Sequence, residues 1–570
     1  MDTYSKRLIQ KGSPFELQKA IIEGIPYKIF PHGPKTLQDV FLKAASFRQS
    51  EFIVSDDKRL SFGEALEQAK YLAVILRRQY GTEKGKRVAI IMNNRPEWII
   101  AFMAIYLCGA VAVTIHADTE KQAVLKALEI TDCSLVISDE YNINKLNNNE
   151  IDYTVVIFSN NNSDELMNDL REKNSSLILS LINLSEVPDN KTVPIHDILI
   201  QSPDDDALIS FTSGTTGTPK GVLLSHRNIT TGLMNMMLGG FLMNYRASKP
   251  KTDKKMTGQN IQPCTLLLSP LSHIGGYSQI MLMCYLGGKI VMMDGWDASG
   301  AVNYIKQEKI RSLSGASTDM IRELLHSNLY RENLETLTNL NINGVALKKG
   351  FIQYVTEKLP DVTIATGYGM TETCGSISNV TGTELINNPN WIGTVLPSVD
   401  VKIVDESGNE QSSGDTGEVC VRGSMVMKEY FSNPVKTNAV LENGWLKTGD
   451  LGYLDTNENL YITVRIEDVI ICNNHYVSAG ELESLISDHS MVDEVVALGI
   501  PSSERSEKIV LAILAKDRLQ NEEQNLEREF SSIIKKYPVD IKIVCVDSLP
   551  RTASGKVNRN ELRKQILRRL

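Results

Sequence analysis

The sequence predicts an α/β protein with largely parallel sheets, divided into a large N-terminal part and a smaller C-terminal one. Short β-branched runs alternate with helix-like segments: RVAIIM (87–92), AVAVTI (110–115), SLVISD (134–139), TVVIFS (154–159), CTLLLS (264–269), KIVMMD (289–294) and VTIATGYG (362–369). That alternation is the signature of strands joined by helical crossovers. A chain of 570 residues also exceeds what one hydrophobic core supports, so at least two domains are expected. Beyond about residue 465 the texture changes to short charged helices and strands, ending in the basic run RNELRKQILRRL.

The segments can be justified in order. The opening MDTYSKRLIQKGSPFELQ has neither an apolar signal region nor a small-residue cleavage site, so a cytoplasmic location is expected. WIIAFMAIYLCGAVAVTI (98–115) is uncharged and reaches the lower length limit of a membrane span. Gly109 divides it into a helical half and a β-branched half, which reads as a buried helix running into a buried parallel strand. No transmembrane segment is therefore expected. The Asn-rich stretches NINKLNNNE and NNNSDE, around 142–165, read as surface loops. The segment 246–262 carries five Lys or Arg residues and reads as a solvated insertion, with a docking patch for an anionic partner as the alternative.

Charge and cysteine content exclude some functions. With 69 acidic against 60 basic residues there is no cationic excess to meet a phosphate backbone, so nucleic acid is not expected as a partner. Cysteines 108, 133, 264, 284, 374, 420, 472 and 545 form no CxxC pair and no His/Cys cluster at metal spacing. They read as buried thiols in a reducing compartment.

The most informative stretch is SFTSGTTGTPKGVLLSH (210–226), where hydroxyls, three glycines and a lysine share one turn-rich segment. Glycine lets the backbone turn and approach a ligand closely, while hydroxyls and amides converge on anionic oxygens, so the stretch reads as a phosphate cradle. Gly214, Gly217 and Lys220 do not have Walker spacing, and Pro219 precedes the lysine.

Together with PLSHIGGY (270–277), YGMTET (368–373), TGD (448–450), Arg465 with its acidic pair, and PRTASGK (550–556), all in order, this stretch resembles the AMP-forming adenylating superfamily. That superfamily includes acyl-CoA synthetases, luciferases and the adenylation domains of peptide synthetases. The resemblance covers residues 35–565 and implies an N-terminal domain (1–464) of stacked α/β sheet layers with a small barrel-like subdomain. It further implies a hinge at 465–468 and a smaller, mobile α+β C-terminal domain (469–570).

The implied reaction joins a carboxylate to the α-phosphorus of ATP and releases pyrophosphate, which demands positioned cations and a metal. By resemblance, Thr212, Ser213, Gly214, Thr215, Thr216, Gly217 and Lys220 cradle the β- and γ-phosphates. Thr371 would bond the α-phosphate, and Glu372 would offer Mg²⁺ the hard oxygen it prefers. Asp450 suits the two ribose hydroxyls, with Arg465 as a second ribose contact. Tyr368, Gly369 and Gly344 match positions around adenine, and Lys556 sits in a flexible loop from which it can reach α-phosphate and carboxylate together.

On the acid side, His273 matches an aromatic gate, and Ile274 stands where amino-acid-activating relatives usually carry an aspartate. A fatty or aryl acid without an α-amino group is expected. Gly275, Gly276, Met281, Leu282, Met283 and GASTDMI (315–321) suggest an apolar acyl channel. In the hinge, Arg465-Ile466-Glu467-Asp468 puts Glu467 at the pivot and Asp468 after it. The following loop departs from the family: Asn473-Asn474 replace the usual glycine or glycines of the pantetheine tunnel, and the usual proline is shifted or lost at Ser478-Ala479-Gly480. Three readings follow. The first is a ligase that uses ATP, Mg²⁺ and CoA to make an acyl-CoA; the second is a free-standing enzyme that loads an acyl carrier protein or another acceptor; the third is a non-catalytic nucleotide-binding protein.

Overall fold

The structure, a computed structural model, describes residues 3–147, 153–158, 170, 177–184, 201–212, 219–247, 262–326, 333–342, 347, 349–386, 388, 391–472, 475–487, 489, 491–503, 506–515, 523–530, 541–551 and 557–569. Each strand expected from a β-branched run is present with ends within three residues, from Arg87–Ile91 to Thr363–Met370. The apolar stretch 98–115 also behaves as read. Pro96–Leu107 is a helix with every residue buried, Gly109 turns the chain at φ 83°, and Val111–Ile115 is a buried strand. A helix apolar on all sides has to lie inside the protein, and its position follows from what packs around it.

That helix lies between two sheets. The first orders its described strands Glu429–Tyr430, Lys220–Ser225, Asp206–Thr212, Val111–Ile115, Arg87–Ile91, Leu135–Ser138, Thr154–Phe158 and Ile178–Ile182, and is parallel from Asp206–Thr212 onward. The second has a parallel centre running from Glu51–Val54 through Lys289–Val291, Cys264–Leu267, Ser312–Ser314 and Asn339–Asn341 to Thr363–Met370. It then continues antiparallel through Gly375–Thr381, Trp391–Val395, Asn459–Arg465, Trp445–Leu454, Gly417–Arg422 and Asp400–Val404. The small subdomain is thus an antiparallel extension of the second sheet.

Strand alternation shows the layering. Val88 and Ile90 face the central core together with Leu267 and Ile290 of the second sheet. Their neighbours Ala89 and Ile91 pack outward against Val124, Ala127 and Leu128, while Leu266 and Val291 pack outward against Val302, Ile305 and Ile352. Helices therefore cover both outer faces and also fill the middle, giving five layers. Each large apolar side chain buried in the middle contributes roughly 1.5–3 kcal/mol.

The C-terminal part repeats this logic on a smaller scale. Val492–Ser503, Ser506–Ala515 and Ile541–Cys545 form a three-stranded sheet whose alternate residues enter two cores. Ala479–Ser487 and Glu523–Glu529 cover one face and Arg559–Arg569 the other. Its first two strands are longer than the short ones expected, because they pair with each other along nearly their whole length.

The Asn-rich loop reading needs one correction. Ile143 and Leu146 are fully buried around the 3₁₀ turn Ile143–Lys145, and Asn142 bonds Asp139 at 2.7 Å. Two apolar anchors among the asparagines draw this part inward; 148–152 and 159–165 lie outside the described residues. The cysteines form no disulfide and are buried except for half-buried Cys545. Burial pushes Cys108, Cys133 and Cys264 up to about 12, so they stay protonated. Among the described residues no helix is long and apolar enough to cross a membrane, and no cluster of His, Cys, Asp or Glu is placed to hold a metal alone.

Candidate active site

Ligands in sheets of this kind gather beyond the carboxyl ends of the parallel strands, and here those ends meet across the two sheets. Asn94, past Arg87–Ile91, donates from Nδ2 to the Ser269 carbonyl at 2.9 Å and accepts from the Leu271 amide at 2.8 Å, past Cys264–Leu267. His116, past Val111–Ile115, brings its ring to 5.0 Å from that of His273. Thr212 ends its strand at the same edge, and Lys220 opens the antiparallel return strand opposite it. Ser213, Gly214, Thr215, Thr216, Gly217, Gly344, Asn473, Asn474 and Lys556 lie outside the described residues, as does 248–261 of the basic insertion.

Thr363–Met370 leads into a 3₁₀ turn at Thr371–Thr373, and close packing fixes that turn. A Cβ on Gly369 would fall 1.7 Å from the Gly375 carbonyl oxygen, and Gly375 itself has φ 103°, so both positions require glycine. The Thr373 hydroxyl accepts from the Met370 amide at 3.1 Å, locking the turn from within. Thr371 and Glu372 are left half-buried.

Glu372 is anchored at two points. Its carbonyl accepts from the Met427 amide at 2.8 Å, and its Oε1 accepts from the Tyr430 hydroxyl at 2.9 Å. Lys220 places Nζ 5.6 Å from the centre of the Tyr430 ring, a cation–π geometry. Burial, and after it the Glu372 carboxylate, raises Tyr430 far above the usual phenol range, while Arg465 opposes the rise. Tyr430 therefore stays protonated and remains a donor. Sequence reasoning missed this residue: it lies 58 positions from Glu372 and is delivered by the two-residue edge strand Glu429–Tyr430, which carries no motif of its own.

The second cluster is built on strand register. Asp450 and Arg465 are direct partners in the pairing of Trp445–Leu454 with Asn459–Arg465. Arg465 Nε lies 3.0 Å from Asp450 Oδ1, and the Tyr368 hydroxyl donates a short hydrogen bond to Oδ2. Asp450 is only 2% exposed. Burial and then the Asp450 carboxylate hold Tyr368 well above its ordinary range. Burial alone would lower Arg465, but Asp450 and then Glu467 outweigh it and raise the guanidinium. Gly369 joins the two clusters, following Tyr368 and preceding the Glu372 turn by two residues.

The 3₁₀ turn Ile466–Asp468 follows at once, and its two acids face different partners. Glu467 lies 3.5 Å from Arg465, whereas Asp468 lies 3.5 Å from Arg559, which also pairs with Glu483 at 2.7 Å.

On the other side of the turn, His273 forms the N-cap position of the helix Ile274–Leu286. Ile274 Cγ1 lies 4.0 Å from where a Gly375 Cβ would be, so an apolar side chain borders the Glu372 turn. A Cβ on Gly276 would fall 2.1 Å from the Pro270 carbonyl, and one on Gly275 would fall 3.1 Å from Ser269 Oγ, so packing alone accounts for the glycine at 276. The methionines expected along an acyl channel are core residues. Met281 and Met283 join the central cluster, and Met283 packs its sulfur at Gly288. Helical phase turns Met281 away from the face shared by Gly275 and Gln279, whereas Met283, one turn after Gln279, is held in the core by its packing at Gly288.

Comparison with known proteins agrees with this layout. The AMP-binding enzyme family matches residues 40–431, and the AMP-binding enzyme C-terminal domain matches 481–556. Among similar proteins is a long-chain-fatty-acid–CoA ligase of Bacillus subtilis (strain 168), 27% identical over 94% of this chain and 96% of that protein. Another is 4-coumarate–CoA ligase 2 of Narcissus pseudonarcissus, 26% identical over 90% of this chain and 88% of that protein. O-succinylbenzoate coenzyme A synthetase of B. subtilis, solved in complex with AMP, has a TM-score of 0.72 and 25% identity, covering 92% of this chain and 97% of that one.

Proposed function

Since the chain belongs to the AMP-binding enzyme family, we propose that it activates a fatty or aryl carboxylic acid with ATP and passes the acyl group to the thiol of CoA. The observation that carries this reading is the meeting of the Lys220–Tyr430–Glu372 and Tyr368–Asp450–Arg465 clusters on either side of Gly369. In the first step a carboxylate oxygen bonds to the α-phosphorus, the α–β bridging bond breaks, and pyrophosphate leaves. Lys220, with the 212–217 loop, holds the β- and γ-phosphates; Thr371 bonds the α-phosphate; Lys556 bridges α-phosphate and acid. Asp450 and Arg465 take the ribose hydroxyls, and Tyr368 with Gly369 and Gly344 takes the adenine.

Glu372 suits Mg²⁺, because Tyr430 occupies only one carboxylate oxygen and Oε2 has no partner among the described residues. A magnesium ion there would neutralise charge on the phosphates as pyrophosphate departs. His273 gates the acid. Ile274 gives an α-ammonium group no counter-charge, which disfavours amino acids. In the second step the thiolate sulfur displaces AMP from the acyl carbon. Residues 465–468 serve as the hinge between domains 1–464 and 469–570, with Glu467 as the pivot and Asp468 held to the C-terminal side by Arg559. The work is cytoplasmic.

Asn473-Asn474 favour a second reading, in which an acyl carrier protein or another acceptor replaces CoA. Pyrophosphate release from ATP and Mg²⁺ with fatty, aryl and amino acids, each with and without CoA, separates the two when products are identified by mass. Acyl-CoA formation supports the ligase; acyl-AMP retained on the protein regardless of CoA supports the other acceptor. Asn474→Gly is expected to raise thioester formation relative to adenylation.

A further inference from the structure

Two carboxamides lie beside the proposed acid-binding region without partners suited to them. Asn379 is 8% exposed and Gln279 is 9% exposed. A Cβ on Gly239 would fall 1.9 Å from Asn379 Nδ2, and one on Gly367 would fall 2.6 Å from its Oδ1. The Asn379 side chain therefore spans from the helix His226–Ala247 to the strand Thr363–Met370, and no hydrogen bond to its amide forms among the described residues. Gln279 Nε2 reaches only the Met236 sulfur, at 3.8 Å, and a thioether is a weak acceptor.

The two amides border the same stretch of helix, because Met236 and Gly239 are three residues apart on one face. Met236 is half-buried there, while the residues just before it are buried. Both ends of this wall run back to the site. Gly367 directly precedes Tyr368, and Gln279 shares a helix face with Gly275, next to Ile274 at the Glu372 turn.

Neither amide is among the described side-chain atoms that are sealed from solvent without a partner, so each keeps polar surface that a ligand can reach. A channel for a plain hydrocarbon chain would be better lined at these positions by leucine or methionine. A carboxamide offers a hydroxyl or ketone both a donor and an acceptor, but it gives a second carboxylate no counter-charge. We propose that Gln279 and Asn379 form a polar subsite of the acyl pocket, and that the preferred acid carries a neutral hydroxyl or carbonyl beyond its carboxylate. This rests on the acid-activating reading above.

The test is acid-dependent pyrophosphate release measured with matched acids: octanoate against ω-hydroxyoctanoate and suberate, and hydrocinnamate against phloretate. The hydroxylated member of each pair is expected to be favoured about tenfold in kcat/KM, the worth of one net hydrogen bond, with suberate no better than octanoate. Gln279→Leu and Asn379→Leu should each erase that preference through the KM of the acid, leaving the KM of ATP unchanged. Should Asn379→Leu fail to fold, Gln279→Met, with a thermal melt as control, reads the same preference. Release that does not discriminate within pairs, or discrimination that survives both substitutions, overturns the subsite alone. Absence of release with every acid overturns the subsite and the acid-activating reading together.

Discussion

Glu372 and Asp450 place carboxylates at the same cleft, yet the fold treats them differently. Asp450 is 2% exposed and has both oxygens engaged, one by Tyr368 and one by Arg465. Glu372 is half-buried, has one oxygen held by Tyr430, and faces no cation within ion-pair distance among the described residues. The corner around Asp450, proposed for the ribose, is therefore completed by folding itself, whereas the corner around Glu372, proposed for the metal, is aimed by folding and left for a ligand to complete. A substitution at Asp450 should disturb the protein as well as the reaction; one at Glu372 should disturb the reaction alone.

The largest effect expected from this contrast is at Glu372. Glu372→Gln keeps the acceptor for Tyr430 but weakens a metal ligand, so kcat for pyrophosphate release should fall by at least about a hundredfold. Its melting temperature should match that of the parent. A melting temperature that falls with activity would make Glu372 part of the scaffold and remove the contrast.

Asp450→Ala comes next. It leaves the Tyr368 hydroxyl without its acceptor and Arg465 without its nearest carboxylate, so stability should fall by about 1–3 kcal/mol. Arg465 is half exposed and contributes little to that loss, since water screens it. The KM for ATP should rise about tenfold or more if the proposed ribose contact is lost with the carboxylate. Denaturant melts and ATP titrations read the two effects separately, and an unchanged melt would refute the idea of a corner completed by folding.

Tyr430→Phe sharpens the comparison with a smaller change. The ring stays beneath Lys220 while the hydroxyl that aims Glu372 is lost, so the expected cost is about 1 kcal/mol, or roughly fivefold in rate. The sign that Tyr430 acts through Glu372 would be a higher Mg²⁺ concentration for half-maximal rate, at unchanged KM for ATP measured at saturating Mg²⁺. A KM effect without a Mg²⁺ effect would instead assign the tyrosine to the nucleotide.

The same contrast explains what the sequence could tell. Strand runs such as 87–92 and 264–269 were legible because both faces of a buried parallel strand must be apolar, and Gly109 was legible because only a break in pattern divides 98–115. Thr371, Glu372, Asp450 and Arg465 were legible as motif positions, and the register that pairs Asp450 with Arg465 brings two of those motifs together. Tyr430, Asn379 and the inward-drawn Ile143 were not legible. Each matters through a contact with chain far away, Tyr430 at Glu372 and Asn379 at Gly239, and no local periodicity encodes such a contact. Met281 and Met283 suit a channel by composition, but both pack into the core, Met281 through helical phase and Met283 through its contact at Gly288.

Tyr368→Phe should have the smallest effect, and it tests the comparison most finely. The phenylalanine keeps a ring for adenine, and Asp450 keeps Arg465, so Asp450 Oδ2 is left with room for a ligand hydroxyl in place of the lost tyrosine donor. Stability should drop by about 1 kcal/mol, because one buried hydrogen bond to a charged acceptor is lost while the carboxylate remains paired. The KM for ATP should move by less than about threefold in either direction. If ATP binding tightens while the melt falls, Tyr368 and the ribose compete for the same carboxylate oxygen, and the completed corner opens when nucleotide arrives. If ATP binding weakens in step with the melt, the tyrosine only holds Asp450 in place and the corner keeps its apo geometry when nucleotide is bound.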